Sequence, residues 1–424
     1  MGSIRNLRWW IAGLLALATA LNYLDRQTFP VLVGEIQKEI PLSHQQYGRL
    51  TSLFLLAYAV MYAGGGWLMD RLGTRIGYTV MIVWWSLANC LMGTASSVFG
   101  LGLFRFLLGM GEGGGFPGSA KAVAEWFPPR ERAMAFGIFN TGSAVGAVLA
   151  PPLIALIVAW LDWRWVFYLT GGLGLIWASF WITFYRLPAQ HPLVTSEELD
   201  LIQASQLESD APAARVRWTS LFGIREVRGL MLAKFFSDAA WFFFIFWLPK
   251  YLGDVRGLDI KQIGYFAWIP YAFAGLGSMS AGLLVGLLFR MNCSVGQTRK
   301  IALAISAAFL PTSLLIMASP LSYAIVFFSA AMFGHQCFAS IMQTLPADLF
   351  PSKMVGSVGG LLGSAGSFGA MLFGLLVGWL VEYHGYGPAF LLAGLMHPLA
   401  LTIVLVSVRR VEPLAFPRKE LIPV

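Results

Sequence analysis

Long apolar runs return along the whole chain, separated by short charged stretches. The runs fall at approximately 9–33, 46–69, 76–95, 97–121, 133–158, 164–185, 229–252, 261–289, 299–318, 321–347, 354–381 and 388–408. About 20 apolar residues rising 1.5 Å each cross the hydrocarbon layer with every backbone group bonded inside the helix. The pattern therefore predicts an all-α membrane protein of twelve transmembrane helices. The run from Trp9 to Ala20 follows Arg5 and Arg8 and ends in Ala18-Thr19-Ala20, the outline of a signal peptide. Because the apolar run resumes beyond Arg26, it reads instead as an uncleaved first helix.

One long polar segment, 186–228, interrupts the rhythm, with Pro188, Pro192, Pro212 and Ser196-Glu197-Glu198-Leu199-Asp200. It separates an N-terminal six-helix bundle (1–185) from a C-terminal one (229–410), which a short tail (411–424) follows. GGGWLMDRLGTR (64–75) and AGLLVGLLFRMN (281–292) occupy equivalent places in the two halves, a weak internal repeat in which Gly286 stands where the first copy has Asp70.

Composition agrees with the pattern: 57% of the 424 residues are hydrophobic and 12% charged, about half the charged share of an ordinary soluble domain. A net charge of +8 could mark a nucleic-acid binder, but the positive residues sit in loops between apolar runs. With both termini and the 186–228 segment placed in the cytoplasm, six of the 29 basic residues (Lys38, Arg49, Arg164, Lys250, Arg256, Lys261) fall outside, three (Arg26, Arg105, Lys234) lie within spans, and the rest are inside. Cys90, Cys293 and Cys337 are far apart and have neither metal-ligand nor disulfide spacing.

Ionisable side chains inside a bilayer cost about 2.5–3.5 kcal/mol each on insertion scales and mark function by default. Six stand out: Asp25 and Arg26 in span one, Arg105 and Glu112 in span four, and Lys234 and Asp238 in span seven. Adjacent residues splay by ~100° on a helix, so Asp25 and Arg26 each need a partner elsewhere. Arg105 and Glu112 are seven apart, nearly on one face and about 10 Å apart along the axis. A guanidinium fork there suits a substrate carboxylate, and a desolvated Glu there can take up and release H⁺. The bland alternative is that Asp25 with Arg105, or Arg26 with Glu112, merely ties helices together. Lys234 and Asp238 can bond on one helix face, and Asp238 lies beside Trp241.

Tyr23 and Tyr58 are mid-span and can offer a ring and a hydroxyl to a sugar, as can Trp241; the same rings can also serve packing. His335, Gln336 and Gln343 in span ten, and Asn140 and Ser143 in span five, can bind substrate hydroxyls or bond between helices. Glycines 109, 111 and 113–115 around Glu112 read as close helix packing. A phosphate loop is excluded, because no strand precedes them and no Lys-Ser/Thr follows. Five scattered histidines (44, 191, 335, 384, 397) supply no catalytic or metal cluster. No enzyme, cofactor or metal is therefore expected, with the proton as the only coupling ion.

These residues resemble the anion:cation symporter branch of the major facilitator superfamily, which includes bacterial hexuronate and galactonate transporters and animal sialin-type carriers, over approximately 5–410. GWLMDRLGTR resembles the superfamily's loop between spans two and three, which implies that Asp70, Arg71 and Arg75 latch the cytoplasmic side of an outward-facing state. NYLDRQ, RFLLGMGEGGGFP with EWFPPRERAMAFG, and KFFSDAAWFFFIFWLPKYL resemble the sugar-acid carriers. The resemblance implies proton sites at Asp25 and Glu112, a substrate carboxylate on Arg26 and Arg105, and substrate-side tyrosines at Tyr23 and Tyr58. Ser143 and Gly363 stand where galactonate carriers place amides, whereas GHQCFASIMQTLPADLFP is similar to hexuronate carriers.

The expectation is a monomeric, proton-coupled importer of a hexuronate or related sugar acid in a bacterial inner membrane, contacting lipid and no nucleic acid, with both termini cytoplasmic. The alternatives are an organic-anion exchanger, a carrier of galactonate, glucarate or tartrate, and a non-transporting sensor.

Overall fold

The computed structural model describes residues 4–207 and 218–414. The linker residues 208–217, with Pro212, and the tail from 415 onward lie outside the described residues.

The described residues are mostly helical and contain no strand. The N-terminal half contains α1 (Leu7–Gln37), α2 (His44–Met92), α3 (Val98–Gly113), α4 (Gly115–Trp126), α5 (Pro129–Val158) and α6 (Trp163–Phe184). Two linker helices follow, α7 (Ser196–Leu207) and the single turn α8 (Trp218–Leu221). The C-terminal half contains α9 (Arg225–Asp254), α10 (Ile260–Phe266), α11 (Trp268–Arg290), α12 (Val295–Ala307), α13 (Leu321–Met342), α14 (Leu345–Leu349), α15 (Ser352–His384) and α16 (Gly387–Ser407).

Eight spans among the described residues are each long and apolar enough to cross a membrane. The remaining passes are interrupted helices. The 49 residues of α2 would stretch to about 70 Å if straight, more than twice the hydrocarbon thickness. At Gly73 the backbone leaves the helix at φ 74°, ψ 156°, a region that glycine enters without a Cβ clash. The chain reverses there. Gly102, Gly109 and Gly113 pack in order on Leu50, Phe54 and Tyr58, whereas Gly111, Gly114 and Gly118 pack in reverse order on Trp85, Met81 and Tyr78. The two arms of α2 therefore run antiparallel on either side of α3 and α4, as spans two and three. Span four is interrupted at Gly114, between α3 and α4. Span nine is α12 continued by a 3-10 segment, Leu310–Leu315. Among the described residues the eight spans and these interrupted passes make twelve, and α1 is one continuous helix through Arg26, as the apolar run predicted.

Helices α1 to α6 pack into one bundle and α9 to α16 into a second. Across the interface α2 lies along α15, and α5 along α10 and α11. The linker's first helix belongs to the N-terminal bundle: Glu198 accepts from the amides of Leu7 (2.9 Å) and Arg8 (3.1 Å) at the open start of α1. It also pairs with the Arg8 side chain at 2.8 Å, which in turn reaches Glu131 at 2.7 Å.

One end of the molecule is sealed. Gly48 lies directly on Gly374 and Gly378, and the Tyr47 hydroxyl donates to the Phe246 carbonyl across the interface. Glu382 at the end of α15 accepts from the first amides of α2, His44 at 2.7 Å and Gln45 at 3.3 Å. Amides at a helix start lack partners in their own helix and carry partial positive charge, so a carboxylate from the opposite bundle closes both deficits. Asp254 gathers Lys250 (3.1 Å), His44 (3.6 Å) and the Tyr386 hydroxyl (2.7 Å) beside it. Toward the other end the cross-bundle contacts thin out: α5 and α11 still touch at Gly275 and Ala144, and among the described residues no ion pair joins the bundles there.

Candidate functional site

Between the bundles lies a small cavity. Its N-terminal wall is Tyr23, Ser143, Ala144 and Ala147; its C-terminal wall includes Trp241, Tyr271 and Gln336. Four residues singled out in the sequence, Tyr23, Ser143, Trp241 and Gln336, meet here from α1, α5, α9 and α13. Small residues at 144, 147 and 275 make the room.

Tyr23 leads from the cavity to the charges. The Arg26 guanidinium lies 4.5 Å from the Tyr23 ring centre and 4.9 Å from that of Tyr58, close enough for cation–π attraction. Its Nε donates to Glu112 Oε2 at 2.9 Å and one terminal nitrogen to Asn22 Oδ1 at 2.9 Å. Of the two pairings weighed in the sequence, the structure contains Arg26 with Glu112. Both are buried, and Glu112 Oε1 has no partner.

Arg105 is the exception among these groups. It is 0% exposed, and none of its three side-chain nitrogens has a hydrogen-bond partner among the described residues. Phe54 and Phe29 of the N-terminal bundle lie 4.5 and 5.1 Å from it, and Phe246 of the opposite bundle 5.6 Å. Aromatic faces offset part of the desolvation of a guanidinium but satisfy none of its five N–H donors. Its cover is therefore divided between the two bundles.

Asp25 points the other way on α1, as adjacent residues on a helix must. It is fully buried within the N-terminal bundle, where Oδ1 accepts from Asn89 Nδ2 at 2.7 Å; that same amide reaches Thr170 Oγ1 at 2.7 Å. Oδ2 has no partner. Asp25 is thus set behind the chamber wall, and the partner that it needed is an amide from span three, which the sequence reading did not single out.

In the C-terminal bundle Lys234 donates to Asp238 at 2.8 Å, the i,i+4 bond that the spacing predicts. Gly366 of α15 packs onto the Asp238 carboxyl, and Gly363, three residues earlier, receives the ring of Tyr62 from the other bundle. A side chain at 363 would displace that ring. Trp241 lines the cavity, but His335 does not: it lies flat behind Trp241 and is buried. Asn140 shares the Ser143 face of α5, one turn nearer the open end, and is exposed; Ser143 Oγ donates to its carbonyl at 2.7 Å.

The loop residues Asp70, Arg71 and Arg75 make no described contact with the C-terminal bundle. Asp70, its side chain 76% exposed, pairs with Lys121 at 2.7 Å. Arg71 stacks on Trp67 at 4.2 Å, and Arg75 donates to the Ile182 carbonyl at 2.9 and 2.7 Å. A cross-bundle latch at this end is therefore not engaged in this state, whose seal is at the opposite end. Among the described residues no three His, Cys, Asp or Glu side chains come together as a metal site, although two of the five histidines do meet.

The hexuronate transporter of Escherichia coli (strain K12) is 33% identical to the chain over 396 residues, 92% of this chain and 91% of that protein. The galacturonate transporter of Dickeya chrysanthemi is 33% identical over 328 residues, 76% of this chain and 94% of the relative. The fold is that of a D-xylose-proton symporter structure, with a TM-score of 0.74 at 16% identity, covering 93% of this chain and 96% of that one. The family model described as Major Facilitator Superfamily matches residues 15–335 and 293–423. With two six-helix bundles, a cavity between them and these relatives, the chain is a multi-pass membrane protein that belongs to the major facilitator superfamily.

Proposed function

We propose that the chain is a secondary transporter that carries a small sugar acid, a hexuronate first of all, together with protons into a bacterial cell through its inner membrane. Both termini then lie in the cytoplasm, and the state described is closed to the outside. The relatives named for hexuronate and galacturonate support the substrate class. The observation that carries the reading is Arg105, a fully buried guanidinium with no hydrogen-bond partner among the described residues. An uncompensated buried cation costs several kcal/mol, a cost that a structural role does not explain and that a carboxylate ligand offsets by bidentate bonding.

The cycle follows from who holds whom. When the bundles part at the sealed end, Phe246 withdraws and Arg105 meets the outside solution. A carboxylate binds its fork while the sugar body extends past Tyr23 toward Trp241 and Gln336. A proton on Glu112 breaks that residue's charge pairing with Arg26, which frees a second guanidinium for the anion. Asp25, held by Asn89 behind the wall, is the second proton site. Rocking of one bundle against the other then exposes the load to the opposite side, and loss of the proton restores the Arg26–Glu112 bond and expels the anion.

The test is uptake into proteoliposomes. Labelled glucuronate or galacturonate accumulates when the outside is made acidic, and a weakly buffered medium turns alkaline as substrate enters. Accumulation without alkalinisation identifies an anion exchanger. Binding of uncharged sugars with no response to acids in a thermal-shift panel of glucuronate, galacturonate, galactonate, glucarate and tartrate ends the sugar-acid reading.

A further inference from the structure

Behind the C-terminal wall of the chamber is a pair of imidazoles that the cycle above does not use. His335 on α13 and His397 on α16 meet Nδ1 to Nε2 at 3.0 Å. His397 is 0% exposed, with the Phe338 ring 4.8 Å away at 66°, and its own Nδ1 has no partner among the described residues. On the other side His335 lies against Trp241, ring centres 4.7 Å apart and planes 7° from parallel. Trp241 in turn borders the cavity. Three rings from three helices thus stand in series, ending at the chamber.

The bond between the imidazoles assigns their protons. One of the two facing nitrogens must carry hydrogen and the other must be bare. If the hydrogen were on His335 Nδ1, His397 would keep its own proton on Nδ1, where a buried N–H would have no acceptor. The opposite arrangement leaves only a bare ring nitrogen there, and buried orphaned N–H donors are the rarer and costlier defect. His397 therefore donates from Nε2, and His335 carries its proton on Nε2 as well.

An imidazole rotates readily about its last side-chain torsion, so a ring that backs an indole holds it in place only if the imidazole is itself held. We infer that His397 is a positioning residue for sugar recognition: its Nε2–H bond fixes the plane of His335, and His335 fixes the Trp241 indole against which the carbon face of the substrate packs. The inference rests on the sugar-acid reading for what lies on the plate; the tautomers and the ring stack do not depend on it.

The experiment compares His397→Leu, His397→Gln, Trp241→Ala and the Trp241→Ala/His397→Leu double variant in proteoliposomes with labelled glucuronate, beside ¹⁵N-histidine NMR of the unliganded wild type. Loss of one neutral hydrogen bond predicts a KM raised roughly fivefold to tenfold in His397→Leu, with Vmax little changed. His397→Gln, which keeps an N–H donor in reach of His335, returns KM close to wild type. In the Trp241→Ala background His397→Leu adds no further change. The NMR shows both rings as Nε2–H tautomers. An equal KM increase in the Trp241→Ala background, an Nδ1–H tautomer at His335, or a displaced pH profile with unchanged KM overturns the positioning role. If the tautomers are as stated but the wild type neither binds nor takes up any uronate, the sugar-acid reading fails instead.

Discussion

The two walls of the chamber are built on opposite electrostatic plans. The N-terminal bundle buries Asp25, Arg26, Arg105 and Glu112, and leaves open valences on three of them: Oδ2 of Asp25, Oε1 of Glu112 and every nitrogen of Arg105. Beside the chamber the C-terminal bundle holds an ion pair within one helix, Lys234 on Asp238, and presents aromatic and amide surface. Unsatisfied buried charge is unstable unless a ligand or proton completes it, whereas satisfied charge beside flat rings can hold a neutral polyol without changing state. Under the proposed function, the anion and the proton fall to one bundle and the sugar body to the other.

The largest expected effect breaks the charged wall. Arg105→Ala lowers uronate uptake by about 100-fold or more, on the scale of a lost buried charge pairing; Arg105→Lys keeps the charge but not the fork and recovers only part. Uptake within about twofold of wild type in Arg105→Ala, a factor worth only ~0.4 kcal/mol, would sink the anion site. Glu112→Gln comes next. It abolishes accumulation driven by a pH gradient while leaving counterflow exchange, and accumulation at the wild-type level removes Glu112 from coupling.

A smaller effect separates the walls. Lys234→Met strands Asp238, and Asp238→Asn strands Lys234; each costs more uptake than the Lys234→Met/Asp238→Asn double variant, because breaking a buried pair exceeds the cost of removing it. If the double variant is as impaired as the sum of the singles, the pair has a direct role in binding. The smallest effect is expected at the wall of small residues. Ser143→Ala removes a bond to the Asn140 carbonyl, not a charge, so KM changes by roughly twofold to tenfold with pH coupling intact.

The two ends of the molecule form a second contrast. The sealed end is held by a carboxylate on a helix start, Glu382 on the first amides of α2, while at the other end Asp70 is turned to Lys121 of its own bundle. Glu382→Gln weakens a charge–dipole contact worth about 0.3–1 kcal/mol, so labelling of a cysteine placed beside Tyr47 by a membrane-impermeant reagent speeds up severalfold. Unchanged labelling means that the other contacts at this end, Gly48 on Gly374 and Gly378, Tyr47 on Phe246 and His44 on Asp254, keep the seal without Glu382.

What could be read without coordinates was what depends on local sequence. Apolar runs set the number of spans, basic residues set the expected orientation, and the i,i+4 spacing of Lys234 and Asp238 anticipated their bond. Buried charge marked Asp25, Arg26, Arg105 and Glu112 before any partner was known. Which of them pair was not legible, because Arg26 meets Glu112 across 86 residues and Asp25 meets Asn89 across 64. Those meetings are fixed by how helices pack, and no periodicity encodes them. For the same reason His335 read as a chamber residue although it stands behind Trp241, and His397 read as one of five scattered histidines although it touches His335. Hydrophobic length is a property of each segment by itself and survives in the sequence alone. The aromatic burial of Arg105, the cap on α2 and the ring stack exist only where separate helices converge, and only the tertiary structure decided them.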